Sequence, residues 1–120
     1  MLSFKGYSKE DYIQMLGQTV DRVLGGECLI IFFGSITDDR FSKISDIDIA
    51  VMCNNEISAI KMLELEEEIE KLPILKEVDI VDIRKVKNPE FLKNISRGLI
   101  WKSSTEVMKD FQKLLRNLKK

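Results

Sequence analysis

The sequence predicts an α/β (α+β) domain in which helices flank a small β-sheet. Short apolar runs bounded by Gly, Asn and Pro have the pattern of strands, and longer runs with apolar residues every three or four positions have the pattern of helices. The near balance of 19 basic and 20 acidic residues around a 44% apolar content is that of an ordinary globular chain, and its 120 residues are read as one domain.

The elements follow in order. Ser8 with Asp11 three residues on reads as a capping box, and Tyr12, Met15, Leu16, Val20, Val23 and Leu24 continue at helical spacing as far as Gly25-Gly26. Cys28 to Phe33 is continuously apolar, the pattern of a strand buried on both faces, and Gly34-Ser35 closes it. Ile36 to Ser45 lacks a period and reads as a loop. In a second strand near Asp46 to Cys53, alternation puts Asp46, Asp48 and Ala50 on one face and Ile47, Ile49 and Val51 on the other. Glu56 to Lys71 reads as a surface helix ended by Pro73, and Lys76 to Ile83 as a third strand rich in Val and Ile. Asn88 caps a short helix that begins at Pro89 and stops at Gly98. Leu99-Ile100-Trp101 reads as an edge strand, with Trp101 as core anchor or interface residue. Ser103 or Ser104 caps a last helix whose stripe of Val107, Met108, Phe111, Leu114, Leu115 and Leu118 is assigned to the domain's own core.

Several function classes fall away. With no histidine, Ser-His and Cys-His nucleophile pairs and histidine metal ligands are excluded, so any catalysis rests on carboxylates. The net charge of −1 offers no broad positive field for a nucleic-acid backbone. Only Lys109 to Lys120 is locally basic, the solvated face of a terminal helix. No apolar run approaches the roughly 18 residues that span a bilayer, and Met1-Leu2-Ser3-Phe4-Lys5 lacks the apolar core of a signal peptide. Cys28 and Cys53 each sit in a strand-like apolar run and read as reduced thiols acting as small hydrophobes, which fits a cytoplasmic protein.

The chemistry concentrates in Gly34-Ser35, ten intervening residues, then Asp46-Ile47-Asp48. A glycine at a strand end lets backbone approach a phosphate, and the serine hydroxyl and adjacent amides donate to phosphate oxygens. Carboxylates two apart on one strand face repel one another unless a cation lies between them, and they suit hard, oxygen-seeking Mg²⁺. A third carboxylate is expected from Val78-Asp79-Ile80-Val81-Asp82-Ile83. Asp79 and Asp82 are three apart, so only one of them faces Asp46 and Asp48, and parity alone does not choose between them.

These residues carry a resemblance. Phe32-Phe33-Gly34-Ser35, then Ser45-Asp46-Ile47-Asp48-Ile49-Ala50-Val51, then Val78-Asp79-Ile80-Val81-Asp82 resemble the minimal nucleotidyltransferases (MNT) of the DNA polymerase beta superfamily, over Ile30 to about Trp101. The resemblance implies the nucleotidyltransferase fold, a small mixed sheet flanked by helices. It implies that Gly34 and Ser35 hold the triphosphate, that Asp46 and Asp48 bind two Mg²⁺ ions, and that Asp79 completes the site and helps deprotonate the attacking hydroxyl. The substrate implied is ATP as donor of AMP. Stand-alone members are similar to antitoxins encoded beside a small helical HEPN protein whose RNase activity some silence by adding AMP to a tyrosine. A HEPN-type partner, in an oligomeric assembly, is therefore expected.

One departure stands out. Members of the family follow Gly-Ser with basic residues and a further glycine, whereas this chain has Ile36-Thr37-Asp38-Asp39-Arg40. Two acids beside a triphosphate weaken its binding, with Arg40 or Lys43 as partial compensation. The acidic loop favours an alternative: a subunit that keeps the fold but acts by masking its partner.

Overall fold

Alternation along the strands decides which of two cores each side chain joins in the computed structural model, which describes residues 7–42 and 44–118. Strand β1 (Leu29–Phe33) is buried along its whole length. Its neighbours are β2 (Ile47–Met52), antiparallel, and the edge strand β4 (Leu99–Lys102), also antiparallel. The other edge is β3 (Val78–Asp82), parallel to β2, so the sheet is mixed with the order β3-β2-β1-β4.

Helices cover both faces. Helix α1 (Lys9–Leu24) and helix α2 (Ala59–Glu70) bury Tyr12, Leu16, Val20, Val23 and Leu65 against Ile30, Phe32, Ile47, Ile49 and Val51. Helix α3 (Pro89–Ser96) and helix α4 (Thr105–Asn117) bury Leu92, Ile95, Val107 and Phe111 against Leu29, Ile31, Phe33, Ala50 and Met52. Each fully buried Leu, Ile or Phe in these layers contributes roughly 1.5–3 kcal/mol over an exposed one.

Local signals account for most of the boundaries. Ser8 and Asp11 form the reciprocal capping box of α1. The Asn88 side chain accepts from the amides of Glu90 and Phe91 at the start of α3, where Pro89 lacks an N–H to satisfy. The apolar stripe of α4 packs on its own sheet, as expected. Trp101 is a core anchor: its indole lies against Gly17 of α1 so closely that no side chain fits there.

Other expectations are corrected. Ser104 precedes α4, but its hydroxyl makes no capping bond and is buried without a partner. Ile36-Thr37, read as the opening of an aperiodic loop, instead continues the Gly34-Ser35 turn as one 3₁₀ turn, Gly34–Thr37. Strand β2 begins at Ile47, which leaves Asp46 in the lead-in. Cys28 and Cys53 are joined in a disulfide rather than free. Leu29 pairs with Met52 in the antiparallel register, so the residues just beyond them lie opposite each other, with Cα atoms 4.2 Å apart. The case for a reducing compartment from two free thiols falls with that pairing.

Among the described residues no helix is long and apolar enough to cross a membrane. The readings of Met1–Lys5 as lacking a signal core, of Lys43 as a compensating cation, and of the basic tail at Lys119 and Lys120 lie outside the described residues.

Candidate functional site

Where β1 ends, the chain turns away from the sheet at Gly34, whose φ of 79° lies in the region that only glycine adopts without strain. The turn is anchored on one side by Ile36, buried in the α1/α2 core, and closed by the Thr37 hydroxyl donating to the Gly34 carbonyl at 2.7 Å. A Cβ at Gly34 would stand 2.5 Å from Oδ2 of Asp48. The glycine therefore makes room for a carboxylate as well as setting the turn. The Ser35 hydroxyl, half-exposed on this turn, makes no hydrogen bond to the described residues.

The parallel register resolves the third carboxylate. Ile47 pairs with Val78, Asp48 with Asp79, Ile49 with Ile80 and Val51 with Asp82. Val78 and Ile80 join the core beneath α1 and α2, and Val81 joins the opposite one. Asp79 thus shares the face of Asp48, directly across from it, and Asp82 points the other way. Asp82 is buried and accepts from the backbone N–H of Ile57 at 2.8 Å and of Arg84 at 3.1 Å. It caps the strand end and ties it to the segment leading into α2.

The three carboxylates differ in their surroundings. Asp48 is half-buried, and its pKa is raised, first by desolvation, then by the negative charges of Asp79 and of Asp46. Among the described residues no cationic side chain forms an ion pair with Asp48 or Asp79. Asp46 is exposed, in a lead-in that Lys76 holds by donating to the carbonyls of Ser42 at 2.6 Å and Ser45 at 3.1 Å, over the Phe41 ring. Burial lowers the Lys76 pKa, and the nearby charge of Asp46 opposes that shift. This brace escaped the sequence reading, because nothing local marks a lysine that reaches back across the sheet edge.

Arg40 does not stand free to meet a ligand. It holds Asp38 in a bidentate pair, Nε to Oδ1 at 3.0 Å and Nη2 to Oδ2 at 2.8 Å, and its backbone N–H donates to the same carboxylate. The paired guanidinium keeps the Asp38 pKa below its ordinary value. The amine of Lys9 also donates to the Asp38 carbonyl, which tethers the loop to α1.

The model of the family "Polymerase beta, Nucleotidyltransferase" matches residues 28–106, which contain all of this site. The chain belongs to the polymerase beta nucleotidyltransferase family. A comparison with curated protein sequences gives no significant match. Solved structures share the nucleotidyltransferase fold at low identity. One is the tri-AMPylated Shewanella oneidensis HEPN toxin in complex with MNT antitoxin, at 20% identity and a TM-score of 0.68 over 92% of this chain and 85% of that one. A second is a toxin–antitoxin complex with AMP-PNP, at 21% identity and a TM-score of 0.64 over 93% of this chain and 84% of that one. A third is the toxin–antitoxin MntA-HepT, at 22% identity and a TM-score of 0.57 over 92% of this chain and 80% of that one.

For a nucleotidyltransferase, the donor set is right in kind for a hard divalent cation: carboxylates on one sheet face, charged against one another, with no basic partner at Asp48 or Asp79. Convergence is another matter. Among the described residues no three acidic side chains stand close enough together to hold one ion. The Asp48 carboxylate lies against Gly34 instead.

Proposed function

We propose that the chain is a Mg²⁺-dependent nucleotidyltransferase that moves AMP from ATP to a hydroxyl on a HEPN-type partner protein of a toxin–antitoxin pair. The observation that supports this reading is the register of β2 with β3, in which Asp48 and Asp79 stand side by side on one face of the sheet beside the Gly34 turn, with the Asp48 pKa held above its ordinary value by desolvation and then by like charge. The solved complexes support the choice of donor and acceptor, since one holds an AMPylated HEPN toxin and another holds AMP-PNP.

In this reading Asp46, Asp48 and Asp79 hold two Mg²⁺ ions. Bound Mg²⁺ would neutralise phosphate charge and polarise the α-phosphate. The Gly34 backbone and the Ser35 hydroxyl and amide donate to the triphosphate. Asp79 is exposed on an edge strand, where an acceptor hydroxyl on another protein reaches it, and it takes that hydroxyl's proton. As the new P–O bond forms at the α-phosphorus, the bond to the β-phosphate oxygen breaks and pyrophosphate leaves.

Incubation with labelled ATP, Mg²⁺ and the HEPN-type partner tests the proposal. Label is expected on the partner with the wild type and not with Asp48→Asn. Folded wild type that never transfers label, or an Asp48→Asn variant that transfers equally well, overturns it.

A second reading, a non-catalytic subunit that masks its partner, draws support from the acidic Asp38 and Asp39 and from the unconverged carboxylates. Calorimetry separates the two. No heat of ATP binding with Mg²⁺ present leaves only masking.

A further inference from the structure

Beside the Gly34 turn lies a cavity of about 240 Å³, and the carboxylates Asp46, Asp48 and Asp79 do not line it. Its walls are Gly34, Thr37, Asp38 and Arg40 from the turn and its loop, with Asn94 and Arg97 from the end of α3. The volume is below the roughly 300–1,000 Å³ of a pocket for a whole drug-sized ligand, so it fits part of a nucleotide. Within it Asp38 and Arg40 neutralise each other through their bidentate pair. Arg97 is exposed and makes no ion pair or side-chain hydrogen bond to the described residues. The cavity therefore carries one uncompensated positive charge, supplied from outside the loop.

The position of that charge is fixed by packing. Ile95 is fully buried in the α3/α4 core, and the amides of Arg97 and Gly98 donate to the carbonyls of Asn94 and Ile95 to close the helix. Gly98 is pressed onto β1, where a Cβ would collide with the Phe32 carbonyl and the Ile31 side chain. Only glycine lets α3 end this close to β1, and the residue before it is thereby delivered to the turn at which β1 ends. The carbonyl end of α3 disfavours an anion, so the guanidinium, on its long stem, has to stand between that end and any phosphate.

We infer that Arg97 binds the distal phosphates of the nucleotide and takes the place of the basic residues missing after Gly34-Ser35. The inference rests on the nucleotide site proposed above and adds a residue of this chain to it. With the α-phosphate at the carboxylates, the β- and γ-phosphates extend along the Gly34 turn into the cavity, where a planar guanidinium offers two parallel donors to phosphate oxygens.

Calorimetric titration with ATP and with AMP, both with Mg²⁺, tests the assignment on the wild type, Arg97→Ala and Arg97→Lys. Arg97→Ala is expected to weaken ATP binding about ten- to a hundredfold, the range for a lost charge-assisted contact, at an unchanged thermal midpoint. Arg97→Lys is expected to fall between, because it keeps the charge and loses the fork. AMP affinity should change by no more than about twofold, since AMP lacks the distal phosphates. A wild type that binds ATP beside an Arg97→Ala variant that binds it equally, or that loses ATP and AMP in equal measure, overturns this inference and leaves the nucleotide site standing. A wild type with no affinity for ATP overturns both.

Discussion

Asp79 and Asp82 sit three residues apart on one five-residue strand and lead opposite lives. Asp79 is exposed, lies across from Asp48, and its carboxylate makes no hydrogen bond or ion pair to the described residues. Asp82 is 4% exposed, and each of its oxygens receives a backbone N–H. The same functional group is spent in one place on holding the fold and in the other is held in reserve, at a charge cost felt by its neighbour Asp48. A carboxylate that contributes nothing to the fold and strains an adjacent one has the signature of a ligand or catalytic group, whereas a saturated buried one has that of a scaffold.

The same substitution at both positions breaks or sharpens that contrast. The largest effect is expected for Asp79→Asn on transfer. Loss of a positioned proton acceptor reduces the rate by about 10²–10⁴-fold, while the stability of an exposed, unpartnered position changes by no more than about 0.5 kcal/mol. Rate of label transfer and urea unfolding, measured on one preparation, check both halves. An Asp79→Asn enzyme with wild-type rate would make Asp79 as inert as its solvent exposure suggests.

Asp82→Asn is expected to do the reverse. An amide presents one oxygen where two acceptors are needed, and its NH₂ is turned toward the N–H of Ile57 or of Arg84. One buried donor is left unsatisfied, at a cost of about 1–3 kcal/mol. The loss also reaches Arg84, whose Nε donates to the Cys53 carbonyl at 2.7 Å and whose Nη2 pairs with Asp110 at 2.8 Å. Urea unfolding should show a lower midpoint, and transfer per folded molecule should stay near the wild type. If transfer collapses while stability holds, the two aspartates have been assigned the wrong way round.

That assignment marks the limit of what the sequence discloses. Helices α1 and α3 are legible because their starts are local: Ser8 and Asp11, or Asn88 and Pro89, satisfy amides a few residues away. Strand β1 is legible from unbroken apolar character, and the spacing of Gly34-Ser35 from Asp46 and Asp48 marks a candidate site. The choice between Asp79 and Asp82 is not local, because it depends on β3 lying parallel to β2 in one register, and nothing within Val78–Asp82 encodes its partner. The Cys28–Cys53 pairing has the same origin in the β1/β2 register. Arg97 is silent in sequence for a related reason. Only the close packing of Gly98 against β1 shows where the residue before it is delivered.

The smallest effect concerns Asp48, the member of the pair that bears the strain. Its pKa in the folded protein lies above the ordinary 3.8, through desolvation and then the charges of Asp79 and Asp46. Its ionisation therefore opposes folding: the favourable state is the protonated one below pH 3.8, and that advantage is lost as pH rises through the raised folded-state value. At neutral pH the wild type carries the full penalty and Asp48→Asn carries none. The variant should melt higher at pH 7 by roughly one or two degrees, a small shift because half-buried Asp48 keeps part of its solvation and the repulsion is screened by solvent. The difference should shrink as the pH is lowered and vanish in acid. Added Mg²⁺ should reverse the order, raising the wild-type midpoint more than that of the variant, since a cation held by Asp48 binds the folded state selectively. Thermal melts at several pH values with and without Mg²⁺ read all of this. Equal midpoints at pH 7 and equal responses to Mg²⁺ would mean that Asp48 is no more strained than Asp82, and the contrast between the two faces of β3 would lose its electrostatic half.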